Sequence, residues 1–254
     1  IAALRTALDG VSAQGQHVRI IEDCAHCFEG RLDGDRPGRH SDAAVFSFYA
    51  TKNVTCGEGG AVILRDAGLH ALLRETRTHG MSAMAINRFA GGKYNHWDME
   101  RLGTKANLPD LLAALLPRQI ATIDERLPMR QAVAQRYRDA LAGNIFRLPQ
   151  IVPSGAHAEH LFTVGIPGGK RDDAIAALNA AEIGVTVNYR ALPEMSYYRR
   201  KYPQSASACP HAVIWGQETL SLPLYPELPR DQQDFVIETL LETVAPIVKA
   251  GLGG

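Results

Sequence analysis

The sequence predicts an α/β chain, on three observations. Residues 43–48 form an uninterrupted apolar run in which Ser47 is the first hydroxyl, and residues 60–65 form a second, so each reads as a buried strand. Between them lies a turn with glycine at 57, 59 and 60 and a single lysine, Lys52. After Gly143 the pattern becomes strand, helix, strand and helix, which predicts a smaller α/β domain.

Taken in order, residues 1–13 have helical apolar spacing and no basic leader, so they read as a helix entered partway and the chain as a piece of a longer one. Val18-Arg-Ile-Ile-Glu-Asp23 reads as a strand ending in two carboxylates. A polar connection, 30–42, leads to the Lys52 turn. Residues 66–76 are helical, with Leu69, Leu72 and Leu73 on one side. Residues 79–103 show no period and read as a long loop. Asn107-Leu-Pro-Asp110 reads as a capped helix start with proline in its first turn. That helix is expected to reach Pro128, with a second over 129–141. Beyond it, 161–166 and 185–188 read as strands, 171–181 and 231–248 as helices, and 220–224 as an edge or terminal strand interrupted by proline. The expected organisation is a large domain over 1–106, connecting helices over 107–142 and a small α/β domain over 143–254.

Composition excludes several classes of function. The 254 residues carry 27 Lys+Arg and 27 Asp+Glu, so no overall field draws nucleic acid or an anionic membrane. The longest apolar runs fall far short of the ~20 residues of a membrane span. Four cysteines do not make a disulfide framework, and a reducing cytoplasm is expected.

The candidate chemistry gathers at one end of neighbouring strands. Asp23 and His26 follow the first strand, and Ser47 and Lys52 follow the second. A carboxylate for a pyridinium nitrogen, an amine for an aldehyde and a hydroxyl for a phosphate are what pyridoxal phosphate requires. A plain salt bridge between a loop lysine and a strand-end carboxylate is the structural alternative. Cys24-Ala-His-Cys27 alone suggests redox chemistry or half a zinc site, but no second C-x-x-C follows, so no metal is expected. His79, His96 and His160 are scattered and read as polar contacts. Tyr197, Tyr198 and Tyr202 with Arg199, Arg200 and Lys201 read as a solvated helix face or as contacts to a nucleotide diphosphate.

Glu22-Asp-Cys-Ala-His26, Gly38, Asp42, Phe46-Ser-Phe-Tyr-Ala-Thr-Lys-Asn53 and Gly57-Glu-Gly-Gly60 together resemble the DegT/DnrJ/EryC1/StrS sugar aminotransferases, which belong to fold type I of the pyridoxal phosphate enzymes. The resemblance continues through His79-Gly80, Gly103-Thr-Lys-Ala-Asn-Leu-Pro-Asp110 and Ser221-Leu-Pro-Leu-Tyr-Pro226. It implies a large domain with a mixed, mostly parallel sheet and flanking helices, followed by a smaller domain. It implies Lys52 as the covalent attachment point and proton carrier, Asp23 on the pyridine nitrogen, His26 near the ring hydroxyl and Ser47 on the phosphate. Lys105 and Asn107 lie where the family reaches into a neighbouring subunit's site, which implies a homodimer with shared sites and Asn107 as a cofactor contact. The implied substrates are a keto sugar, nucleotide-linked, and an amino-acid donor, glutamate.

A dehydratase branch of the family has histidine in place of the lysine, so Lys52 favours amino transfer. A dehydratase, a cyclitol aminotransferase and a non-catalytic cofactor-binding fragment are the alternatives. Two departures stand out. Asn188 replaces a commoner histidine near the sugar. The family's N-terminal phosphate loop and ring-stacking residue have no counterpart, so the large domain is expected to be incomplete.

Overall fold

Alternation along a five-residue strand organises the first part of the molecule. The computed structural model describes residues 1–12, 18–81, 92, 94, 96 and 98–252. It divides into two compact units, Ile1–Ile123 and Asp124–Gly254. In the first, α1 (Ala2–Ser12) precedes β1 (Ile21–Asp23), the two-residue β2 (Arg31–Leu32), β3 (Ala43–Ser47), β4 (Gly60–Leu64) and α2 (Ala67–Thr76). The sheet order is β1-β3-β4, with β1 and β3 parallel and β3 and β4 antiparallel. Among the described residues the unit is therefore mixed α/β, with one pairing of each sense.

Successive side chains of a strand point to opposite faces. Ala44 and Phe46 are buried and join Cys24, Phe48, Val54, Cys56, Leu116 and Ile123 in one cluster. Phe28 packs edge-on against Phe46 with ring centroids 5.4 Å apart. The register pairs Asp23 with Val45, Val45 with Val62 and Ser47 with Gly60, so Ile21, Asp23, Val45, Ser47 and Val62 share the opposite face. Ala43, at the start of that face, is buried, but beyond it the face is open: Ile21 is 69% exposed, Val45 39% and Val62 46%.

Asp42 fastens α1 to the sheet. Its Oδ2 accepts from Arg5 Nη2 at 2.6 Å and from the Ile20 amide at 2.7 Å. The bond from Arg5, with that from the Ile20 amide, holds the carboxyl below its ordinary value. Asp66 caps α2 by accepting from the Leu69 amide at 2.7 Å.

The long loop expected over 79–103 falls mostly outside the described residues, but its base is defined. The Thr104 amide donates to Thr76 O, and the His79 amide to Thr104 O. Gly80 has φ +75° and Gly103 lies against it, so a Cβ at either position would run into backbone. Both glycines of the sequence motif are thus required by a close crossing of two chain segments.

The helix expected from Asn107 starts later. Pro109 is the residue before α3 (Asp110–Ala113), and Asn107 is exposed in the extended stretch ahead of it. Proline disfavours the α conformation of the residue before it, here Leu108, and so delays the helix. Next, α4 (Leu116–Leu141) runs through Pro128 without interruption, so the two segments expected on either side of that proline are one helix.

In the second unit, β5 (Gly155–Ala156) and β6 (Phe162–Gly165) precede α5 (Arg171–Ala180). A 3-10 turn at Leu192–Glu194 leads into α6 (Ser196–Lys201), α7 (Ser205–Ala208) and α8 (Pro210–Glu218), followed by β7 (Thr219–Leu222). The chain closes with α9 (Arg230–Thr239), a π-helical turn over Leu240–Val244 and α10 (Ala245–Leu252). β6 and β7 are antiparallel, and Phe162, Val164, Leu220 and Leu222 pack with Tyr137, Leu141, Leu178, Leu240 and Val248.

Two expectations change here. The strand over 185–188 reduces to one paired residue, Thr186 with Ser221. Ser221 also pairs with Thr163, so β7 has a neighbour on each side at this point and is not an edge. It stops before Pro223, whose carbonyl accepts from the Tyr137 hydroxyl at 3.1 Å.

Candidate functional site

The C-terminal ends of the parallel strands β1 and β3 bring the chosen residues together. Glu22 and Asp23 are adjacent, so the pleat sends them to opposite faces. Glu22 turns towards the connection and accepts from the Gly38 amide at 2.9 Å. Asp23 stands on the open face, where its Oδ1 accepts from the Ala25 amide at 3.0 Å. Ser47 ends β3, and its Oγ accepts from the Tyr49 amide at 3.3 Å, which leaves its own hydroxyl proton to donate elsewhere.

Lys52 lies on the turn after β3, where its amide donates to Tyr49 O at 2.9 Å. Among the described residues, its ammonium group makes no hydrogen bond or ion pair. Partial burial lowers its pKa, and the nearby negative charge of Asp23 opposes that shift. His26 is lowered as well, by desolvation first and then by the charge of Lys52, with Asp23 pulling the other way. Asp23, His26 and Lys52 are thus within electrostatic reach of one another. Any salt bridge between Asp23 and Lys52 would need contact that the structure lacks.

The rest of the turn is packed and hydrogen-bonded. The Phe48 amide donates to Gly59 O at 2.8 Å and the Cys56 amide to Phe48 O at 3.0 Å. Gly57 takes φ +87°. A Cβ on Gly59 would sit 2.7 Å from Cys56 Sγ and 3.1 Å from Leu108. Burial, reinforced by Glu22, pushes the Cys24 thiol up to about 12, and burial also raises Cys27. These are packing thiols rather than nucleophiles.

Asn107 is not brought to the cluster: its side chain is exposed, and no contact with Asp23, His26, Ser47 or Lys52 is present. Lys105 is also exposed, in a bridge with Thr78. The sequence reading passed over three polar residues that hold the turn. Gln119 in α4 bonds both backbone groups of Thr55, and buried Glu29 accepts from Asn53 Nδ2 at 2.6 Å. Neither Glu29, between Phe28 and Gly30, nor Gln119 stands out in the sequence.

Residues 8–241 match the DegT/DnrJ/EryC1/StrS aminotransferase family. The chain belongs to this family. The spore coat polysaccharide biosynthesis protein SpsC of Bacillus subtilis (strain 168) is 34% identical over 240 residues, which cover 91% of this chain and 61% of SpsC. The crystal structure of S. venezuelae DesV superposes with a TM-score of 0.79 at 32% identity, over 93% of this chain and 60% of that one. Spr1654 of Streptococcus pneumoniae, solved in PLP and PMP forms, shares the fold: its PMP form gives a TM-score of 0.82 at 23% identity, covering 92% of this chain and 60% of its own. The chain therefore spans about three fifths of the length of these relatives. DegT/DnrJ/EryC1/StrS aminotransferases use pyridoxal phosphate, and the fold is that of the pyridoxal phosphate sugar aminotransferases.

The side chains present fit that cofactor. The open face offers a carboxylate at Asp23 and a hydroxyl donor at Ser47, and the turn after β3 offers an amine at Lys52 that is unpartnered among the described residues.

Proposed function

We propose that the protein is a pyridoxal phosphate-dependent aminotransferase. It takes an amino group from an amino acid, glutamate, and delivers it to a keto sugar carried on a nucleotide. The observation that carries this reading is the Lys52 amine, unpartnered and with a lowered pKa, within reach of Asp23 on one open sheet face.

In this reading Lys52 is the attachment point for the cofactor, Asp23 pairs with its ring nitrogen, His26 lies beside the ring hydroxyl, and Ser47 donates to the phosphate. The cofactor, when bound, supplies an electron sink for the carbon that loses its proton. The chain supplies the proton carrier. Burial disfavours the charged Lys52 ammonium and so favours the amine form that accepts a proton, and Asp23 limits how far that shift goes. Asp23 keeps an anion where a ring N–H needs one. The turn behind Lys52 fixes its backbone while the side chain stays free to move between two carbons.

We place Asn107 and Lys105 at a homodimer interface, where they reach the partner's site. This is supported by their exposure and by the apolar surface that follows them: Leu111 is 87% exposed and Leu115 54%.

The test is direct. The protein is mixed with pyridoxal phosphate, reduced with borohydride and mapped by mass spectrometry. A pyridoxyl group on Lys52, with loss of the bound-cofactor absorption in Lys52→Ala, is expected; an unlabelled Lys52 rejects the reading. Incubation with a keto-sugar nucleotide and glutamate should then yield 2-oxoglutarate in step with the amino sugar. Sugar turnover with no consumption of glutamate would instead indicate a dehydratase.

A further inference from the structure

The turn that carries Lys52 leaves the β ladder after Phe48, so the backbone groups beyond it need other partners. Thr55 finds both of its partners in one side chain. Its amide donates to Gln119 Oε1 at 3.0 Å, and its carbonyl accepts from Gln119 Nε2 at 2.7 Å. The same Nε2 also donates to Leu115 O at 2.7 Å, four residues back and just before α4. The amide of Gln119 therefore acts as a strand one peptide long, paired with the turn. Its orientation is fixed, because a flipped amide would set N–H against N–H at Thr55.

A second side chain holds the turn next to Lys52. Asn53 Nδ2 donates to Glu29 Oε1 at 2.6 Å, and Glu29 is fully buried. The residue directly after Lys52 and the residue three beyond it are thus tied to positions 24 and 64 residues away in sequence. Val54, between them, is 1% exposed. A shift of the Lys52 backbone strains these directed bonds, whereas its side chain has no partner to break among the described residues. A lysine that joins an aldehyde and then carries a proton between two carbons needs this combination of a fixed Cα and a free amine.

We infer that Gln119 and Glu29 are positioning residues that lock the turn presenting Lys52. The inference rests on the reading of Lys52 as the cofactor's attachment point. It deepens that reading by naming what holds the lysine in place.

The test compares the protein with Gln119→Met, which keeps the volume and loses all three bonds, and Gln119→Glu, which keeps the acceptor for the Thr55 amide and loses the donors. Two readouts are taken: hydrogen exchange over residues 53–57 without cofactor, and the rate at which borohydride traps pyridoxal phosphate on Lys52, with exposed Lys201 as internal reference. Gln119→Met should speed exchange of the segment about a hundredfold, since its three bonds are lost together, and should slow trapping at Lys52. Trapping at Lys201 should not change, and Gln119→Glu should fall between. If Gln119→Met unfolds, Glu29→Gln, which retains an acceptor for Asn53, should keep near-normal trapping while Glu29→Ala slows it. Unchanged exchange in a folded Gln119→Met overturns the lock. Faster exchange with unchanged trapping overturns its role in presenting Lys52. No label on Lys52 in the unaltered protein overturns the attachment reading and this inference with it, a result distinct from the other two.

Discussion

Placing Asp23 and Ser47 on an open face depends on the sidedness of β3, and adjacent residues of that strand test it. Phe46 is 6% exposed and packs edge-on against Phe28; Val45 is 39% exposed on the opposite face. A buried phenylalanine removes roughly 200 Å² from water, and at about 25 cal/mol per Å² that burial contributes ~5 kcal/mol. Phe46→Ala keeps the Cβ but loses the ring and leaves a cavity, so a loss of about 3–5 kcal/mol is expected. Val45→Thr changes one methyl on a solvated face and should cost well under about 1 kcal/mol. The assay must report on the first unit. Denaturant-dependent hydrogen exchange of the β3 and β4 amides is therefore the measurement. If Val45→Thr destabilised these amides as much as Phe46→Ala, the face carrying Asp23 would be covered, and the site as described would be wrong.

Three further outcomes follow from the same geometry. In Asp23→Asn the charge that opposes the downward shift of Lys52 is gone, so the Lys52 amine should titrate lower still, and its acylation by a water-soluble reagent should inflect at lower pH than in the unaltered protein. Asp42 has a folded-state pKa below its ordinary value, so its contribution to stability is present above the unfolded carboxylate range of ~4 and is lost as pH falls through the folded value. Asp42→Asn should therefore flatten the acid limb of a melting temperature against pH curve, and an unchanged limb would show that the tie to Arg5 does not operate. Gly80→Ala should destabilise by more than about 1 kcal/mol, because φ is +75° and the added Cβ meets the Arg101 carbonyl; proteolysis at the base of the 79–103 loop is the readout.

How much of this was legible in the sequence depends on how local each signal is. The strands over residues 43–48 and 60–65 and the helices over 66–76 and 171–181 came through within a residue or two, because apolar runs and helical periods are written in adjacent residues. The pair Glu22-Asp23 was legible as two carboxylates, and period-two alternation alone separates the one serving Gly38 from the one on the open face. Gln119 was not legible. A glutamine near the start of a helix reads as solvated, and its partner at Thr55 lies 64 residues away. The four-residue helix α7 was missed because a single turn cannot display a period.

Asn107 shows a local signal overruled by packing. Asn-Leu-Pro-Asp satisfies the rule for a capped helix start, yet the helix begins at Asp110. Leu108 packs against the cluster that contains Phe48 and Cys56, and with Cys56 Sγ it forms the wall that excludes a side chain at Gly59. For Leu108 to reach that wall the chain must stay extended through Pro109, which has ψ 143°. Capping would contribute about 1 kcal/mol; half-buried Leu108 contributes part of the roughly 1.5–3 kcal/mol of a fully buried leucine, and proline's restraint on the residue before it adds to this, so the extended chain wins. The same contact turns Asn107 outward. A substitution that weakens Leu108, such as Leu108→Ala, should let the helix start move back towards Asn107, with newly protected amides at residues 110 and 111 in hydrogen exchange; unchanged protection there would show that Pro109 alone sets the boundary.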